Sequence, residues 1–379
     1  MCTPATVLGA LRRFLPEWLK TAPALSPQQR RAIWAITHCR TAALGGRGFA
    51  CKPCGHLHFA YHSCNHKACP QCGAQATGRW IQRELGKLVN APYFLVTFTL
   101  PAQLRGCFLG ALAKQAYDLF FAAVSGALSE KLATGKGLRA QVSGFTAVLH
   151  TWTQRLEFHP HIHCLVPGAG LNAQGKLVRV KNHEFLVYLP HLQSAFRQHL
   201  YRLFQEQGWQ VDPQVWRKDW GVHIQPAGSG VSALKYLGAY VARTAITDAR
   251  ILAVNQDSVT FRWKDRSNHN RTETFTLPGV EFVRRYLRHV LPTGLRSIRY
   301  YGFCHPTAKA NRMRVQLHSG RPVQFGSAHS APSAATASSS PPCPKCGQAM
   351  HFIFSVSPSH PNRGPPLARA SAALTSFAA

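Results

Sequence analysis

His159-Pro160-His161-Ile162-His163-Cys164-Leu165-Val166 is the stretch around which the rest of the chain is read. Residues 160–167 read as a strand. Alternate side chains of a strand share a face, so His161 and His163 point the same way, roughly 7 Å apart at the backbone. Two imidazoles at that spacing can hold one metal ion. A divalent metal wants a third ligand. Gln154, Glu157 and His159 are the open candidates, with His150 a further one. A site mixing histidine with an amide or carboxylate suits magnesium or manganese acting on phosphate. Further along, Tyr236-Leu237-Gly238-Ala239-Tyr240 puts two phenols four residues apart in a helical pattern, hence on one face. A metal beside a tyrosine hydroxyl is what cleavage of a phosphodiester through a phosphotyrosine requires. A tyrosine titrates near 10 and is a weak nucleophile at neutral pH. It needs a metal-bound phosphate and cationic neighbours, and Lys235 and Arg243 share its helix. A tyrosine pair alone is ordinary packing. It gains meaning from the histidine strand, the cysteines and the charge.

The charge points to the partner. Across 379 residues, Lys plus Arg number 44 against 14 Asp plus Glu, a formal net charge of +30. Such a surplus implies a polyanion, most commonly nucleic acid. No acidic residue follows Glu281, whereas Arg284, Arg285, Arg288, Arg296, Arg299, Lys309, Arg312 and Arg314 do. Arg296 and Arg299, with Lys235 and Arg243, are the candidate contacts to the DNA backbone, and binding should weaken steeply with salt. Residues 1–20 carry Arg12, Arg13, Glu17 and Lys20 in an amphipathic pattern, which is not a signal peptide. No stretch reaches the length of a membrane span. The expectation is a cytoplasmic protein without a membrane partner, whose 12 cysteines are metal ligands or buried thiols.

Helices are expected over 4–20, 27–38, 78–89, 103–133, 190–207 and from Ser232 to about Ala245, with another after Pro278. Ser26-Pro27-Gln28-Gln29 is a capping box with proline at the first helical position. Strands are expected over 93–100, 141–152, 160–167 and 219–225, with a hairpin or meander over 250–276. Strands separated by long helical patterns indicate an α+β fold with an antiparallel core sheet and helices. A small zinc-ribbon domain precedes it. The division reads as a helical and zinc-binding DNA-recognition domain over 1–90, a catalytic domain over 91–318, and a tail over 319–379. Ser, Ala and Pro dominate that tail, which reads as disordered except for one knuckle.

Cys51-Lys52-Pro53-Cys54 and Cys69-Pro70-Gln71-Cys72 are two CxxC knuckles with residues 55–68 between them. The spacing reads as one four-thiolate structural zinc. Cys64 and His66 lie between the knuckles and are candidates for a second ion. Residues 39–82 contain no carboxylate, so a catalytic zinc lacks its general base there. Cys343-Pro344-Lys345-Cys346-Gly347 is half a site: its mates are Cys304 and His305 or another chain, or it is a remnant, the reading preferred by a small margin.

Together the cysteine stretch, YFLVTFTLP (93–101), LHTWTQRLEFHPHIHCLVPGAGL (149–171), KYLGAYVARTAI (235–246), VTFRWKDR (259–266) and LRHVLPTGLRSIRYYGF (287–303) resemble the bacterial rolling-circle insertion-sequence transposases. These are two-tyrosine enzymes of the HUH (His-hydrophobe-His) class, and the resemblance spans about residues 25–318. It implies that His161 and His163 bind the catalytic divalent metal and that Tyr236 and Tyr240 are the nucleophiles. It implies cleavage and rejoining of single-stranded DNA at element ends and target DNA through a 5′-phosphotyrosine, with the ribbon recognising ends. Ala68 stands where family members often carry a histidine before the third knuckle cysteine. The rival readings are a replication initiator or relaxase of the same chemistry, and a zinc-dependent DNA-binding protein without catalysis. A three-carboxylate transposase ranks low, because so few acidic residues exist.

Overall fold

The computed structural model describes residues 5–218, 220–241, 245–265, 268–269, 271–320 and 340–358, with backbone alone at 73–76 and 239–241. Two compact units result, neither continuous in sequence. One takes the chain up to Gln29 and again from Gly73 to Gln324; the other takes Arg30–Cys72 and the C-terminal segment from Phe325 on. Among the described residues no helix is long and apolar enough to cross a membrane.

The larger unit is built on a five-stranded sheet in the order Ile298–Gly302, Gly144–Trp152, Phe158–Pro167, Tyr93–Thr99, Val222–Pro226. Every neighbouring pair is antiparallel. The alternation expected of strands sorts its side chains cleanly. Phe94, Val96 and Phe98, Phe145, Ala147 and Leu149, and Ile162, Cys164 and Val166 face one way. They are covered by the helices Ala113–Thr134 and Leu189–Glu206 through Phe120, Phe121, Val124, Phe196 and Leu200. Burying each such aromatic or aliphatic side chain contributes about 1.5–3 kcal/mol. The opposite face presents Tyr93, Val148 and Leu165 to Trp80 of the Gly73–Leu85 helix and to Ala233, Leu234 and Leu237 of the Val231–Val241 helix. An α+β fold with an antiparallel core sheet is therefore observed.

Gly238 explains how those two helices meet. A Cβ there would lie 2.4 Å from the Ile81 side chain, so only glycine lets the helices approach this closely. Beside the main sheet, Ile251–Val254, Ser258–Asp265 and Arg271–Pro278 form an antiparallel meander. Its core residues Val259, Phe261 and Leu277 are buried, as are Phe282, Val283 and Tyr286 of the Gly279–Arg288 helix. The capping box forms reciprocally: the Ser26 amide donates to Gln29 Oε1 at 3.1 Å, and the Gln29 amide donates to Ser26 Oγ at 3.3 Å.

The smaller unit has a three-stranded antiparallel sheet in the order His351–Val356, Gly46–Ala50, Leu57–Tyr61. Residues 340–358, expected as part of an unstructured tail, thus supply one of its edge strands. The reason is a pairing between strands some three hundred residues apart, which local composition does not reveal.

Candidate metal and tyrosine site

The face opposite the large aromatic core carries the site. His161 and His163 sit on the odd-numbered face of Phe158–Pro167, and His150 stands directly opposite His161 on Gly144–Trp152. Their ring centroids are 5.1 Å (150–161), 4.5 Å (150–163) and 4.9 Å (161–163) apart. One ring nitrogen from each lies within 4.8 Å of the others. His150 and His163 are 1% and 5% exposed.

Thus His150 joins the pair in a three-histidine group that does not include Glu157 or His159. The strand register is the cause. Between His150↔His161 and Trp152↔Phe158 the ladder is irregular, with two residues (159 and 160) opposing one (151). This bulge accommodates Pro160, which has no N–H to contribute, and the His159 ring lies 5.4 Å from that of His161. Gln154 and Glu157 belong to the turn between the strands. There the Thr153 hydroxyl accepts from the Arg155 and Glu157 amides at 3.2 and 3.1 Å. Gln154, Glu157 and His159 nevertheless line the same cavity. Burial, aided by the Arg105 charge, lowers the His159 pKa.

Neighbouring groups set the histidine orientations. Nδ1 of His161 lies 2.7 Å from the His159 carbonyl oxygen, which can only accept. That nitrogen therefore carries the proton, and Nε2 keeps a lone pair. Nδ1 of His163 lies 2.8 Å from the Thr97 hydroxyl across the adjoining strand. Such outer partners fix the tautomer and ring plane of metal-binding histidines. Metal–nitrogen bonds near 2.1 Å put ligand nitrogens about 3–3.5 Å apart, so a divalent ion would draw these rings, whose nitrogens lie within 4.8 Å of one another, slightly together. An all-imidazole set departs from the mixed set expected from sequence. Imidazole ligands in general suit transition ions, whereas magnesium prefers oxygen ligands.

Tyr236 projects from its helix over this cluster, its ring centroid 5.8 Å from that of His163. Both line a cavity of about 510 Å³, shared with Thr97, Thr99, Trp152 and His223. Trp263, Lys264 and Asp265 of the meander form another wall. Arginines fasten that wall to the turn between the histidine strands. Arg155 lies over the Phe275 ring at 4.2 Å and Trp263 at 5.3 Å. Arg250 donates to the Gln154 carbonyl, and Arg285 donates to the Arg155 carbonyl at 3.0 Å.

The Tyr240 side chain and all of Arg243 lie outside the described residues. Lys235 and Arg296 are exposed, as a phosphate contact requires. Arg299 is instead engaged by the fold: its guanidinium pairs with Asp118 and lies 4.1 Å from the Phe121 ring centroid. Among the aromatics, Trp152 reaches the cavity, whereas Trp220 is buried and donates to the Val215 carbonyl at 3.1 Å.

In the smaller unit the cysteines do not group as one four-thiolate site. Cys69 and Cys72 converge with Cys39 and Cys64, while Cys51 and Cys54 converge with Cys343 and Cys346. In the first group Cys72 Sγ lies 3.5 Å from Cys39 Sγ and 3.7 Å from Cys64 Sγ. These match the spacing of thiolates around one zinc. His66 instead accepts from the Ala68 amide at 3.1 Å through Nδ1. Sequence spacing paired the knuckles by proximity along the chain, but the sheet carries the first knuckle to the C-terminal one. His150, Thr97 and Cys39 were the residues the sequence left unassigned or unranked; each reaches its site from a different strand or helix.

The larger unit is an antiparallel-sheet fold with a histidine cluster facing a tyrosine helix, and the smaller one is rich in paired cysteines. Comparison with known proteins specifies the family. The family described as "Putative transposase" matches residues 144–312, and that described as "Transposase zinc-binding domain", of the IS91 type, matches residues 10–100. "Putative transposase y4qJ" of Sinorhizobium fredii (strain NBRC 101917 / NGR234) is 36% identical over 335 residues, covering 82% of this chain and 81% of the relative. "Transposase for insertion sequence element IS801" of Pseudomonas savastanoi pv. phaseolicola is 28% identical over 293 residues, covering 70% and 67%. The chain belongs to this IS91-type transposase family. Among solved structures, TrwC complexed with a 27-mer DNA comprising the recognition hairpin and the cleavage site is similar over 31% of this chain and 46% of its own, at 17% identity and a TM-score of 0.27. That likeness is too slight to bear on the site.

Proposed function

We propose that this transposase cuts and rejoins single-stranded DNA at element ends by forming a 5′-phosphotyrosine on Tyr236 during rolling-circle transposition. One observation carries the reading: Tyr236 shares a cavity with His150, His161 and His163, its ring 5.8 Å from that of His163. In this reading the three histidines hold a divalent ion, manganese in preference to magnesium, that withdraws charge from the scissile phosphate. Tyr236 Oη attacks phosphorus, the 3′-oxygen leaves as a free hydroxyl, and the new bond conserves the energy for rejoining. Lys264, on the cavity wall, offsets phosphate charge. Trp152 and Trp263 offer faces on which unpaired bases stack. Tyr240, one helical turn on, is the candidate for the second cleavage, at the terminus or the target. The exposed Lys235 and Arg296 are candidate backbone contacts, and Arg243 belongs with them by sequence.

The test is a labelled single-stranded oligonucleotide carrying an element end. The expected product is an SDS-resistant adduct that requires divalent metal and maps by mass spectrometry to Tyr236 or Tyr240. The Tyr236→Phe/Tyr240→Phe double variant should give none. An adduct surviving both changes moves the nucleophile elsewhere. Binding by the wild-type chain with no adduct under any divalent ion supports a DNA-binding protein without catalysis.

A further inference from the structure

We propose that Cys51, Cys54, Cys343 and Cys346 hold a second zinc ion, which clasps the C-terminal segment of the chain onto its N-terminal zinc fold. This inference is independent of the cleavage chemistry. Residues 343 and 346 lie beyond both family matches, which end at 100 and 312.

Geometry is the first argument. Cys51 Sγ is 3.4 Å from Cys346 Sγ, and Cys54 Sγ is 3.6 Å from Cys343 Sγ. All four sulfurs lie within 4.8 Å of one another. Four thiolates about 2.3 Å from one tetrahedral zinc stand about 3.8 Å apart. A disulfide would need about 2.0 Å, whereas the Cys51–Cys346 and Cys54–Cys343 sulfur distances, 3.4 and 3.6 Å, are those of ligands sharing one ion.

A second argument comes from the backbone, because the two knuckles are local copies of each other. Cys51-Lys52-Pro53-Cys54-Gly55 and Cys343-Pro344-Lys345-Cys346-Gly347 each end in a glycine at positive φ, +67° and +75°. Each glycine amide donates to the carbonyl of the first cysteine at 2.8 Å. Each first cysteine amide donates to the residue after the glycine, to His56 at 2.9 Å and to Gln348 at 2.7 Å. Such turns aim two sulfurs at one point, and two of them facing each other complete a four-sulfur set.

The surrounding fold accommodates the returning segment specifically. His351–Val356 pairs with Gly46–Ala50 in antiparallel register. A Cβ on Gly48 would lie 2.5 Å from the Phe354 ring, so this strand leaves room for that ring. Phe49, Cys51, Cys343 and Met350 form a small buried cluster around the sulfurs. A cluster this small cannot by itself hold a distant segment, whereas a structural zinc contributes folding free energy outright.

Cobalt-substituted full-length chain tests this, because thiolate-to-cobalt charge transfer reports the cysteine sites and not the histidine cluster. The Cys343→Ser/Cys346→Ser variant should lose about half of the wild-type band, one of two four-thiolate sites being gone. An unchanged band overturns the proposal. Should that variant fail to fold, the zinc-loaded wild-type chain decides through mass mapping of alkylated cysteines during stepwise chelation. Cys51, Cys54, Cys343 and Cys346 should be protected at first and then become reactive as one set. Alkylation of Cys343 and Cys346 while Cys51 and Cys54 stay protected overturns it.

Discussion

A valine at position 97 keeps the branched shape of threonine and deletes one oxygen. That oxygen lies 2.8 Å from Nδ1 of His163, a residue 5% exposed and part of the histidine cluster. Two costs follow and can be separated. The fold loses one net hydrogen bond, about 1 kcal/mol, a tolerable loss for a domain of this size. The proposed metal site loses a group that holds a ligand's ring plane. Outer partners of this kind are worth roughly 10–100-fold in affinity or activity, which is about 1.4–2.7 kcal/mol. The assay is adduct formation on an end oligonucleotide as a function of manganese concentration, with a thermal melt as control. Thr97→Val should raise the half-saturating manganese concentration by roughly 10–100-fold and recover much of its yield at saturation. Thr97→Ser, which restores the oxygen, should return it toward wild type. An unchanged manganese dependence in Thr97→Val, or a serine variant as weak as the valine, refutes the orienting role.

Three further outcomes are expected. His161→Ala should abolish adduct formation while single-strand binding, measured by fluorescence anisotropy, stays near wild type; lost binding would make the histidines structural. Burial holds the His289 pKa at about 4, below the ordinary value of 6.5. Between those values the unfolded chain binds the proton and the folded chain does not. Stability should therefore fall as pH drops from about 6.5 to 4, by up to about 3 kcal/mol, and contribute no slope above 6.5. A His289→Gln variant should flatten this dependence in denaturant melts at graded pH. Phe261 is fully buried between Phe275 and Phe282. Phe261→Ala should cost about 3–5 kcal/mol, and an equilibrium melt showing less than 1 kcal/mol would mean the meander is not packed as described.

Local periodicity made much of this protein legible. The alternation in His161-Ile162-His163 put two imidazoles on one face because a strand has a two-residue repeat. Ser232 as a cap and the four-residue spacing of Tyr236 and Tyr240 indicated a helix, and the charge of +30 indicated a polyanionic partner. Each of these is decided by residues close along the chain. What only the tertiary structure decided is which distant residues complete each site. Of the open candidates, His150 stands directly opposite His161 because strand register, not sequence distance, sets who faces it. Arg299 was given to Asp118 instead of standing free. Cys51 and Cys54 were drawn away from Cys69 and Cys72 toward Cys343 and Cys346 because a strand from the far end of the chain pairs with Gly46–Ala50. Long-range pairing depends on the free energy of the whole assembled sheet, and no window of neighbouring residues contains that information.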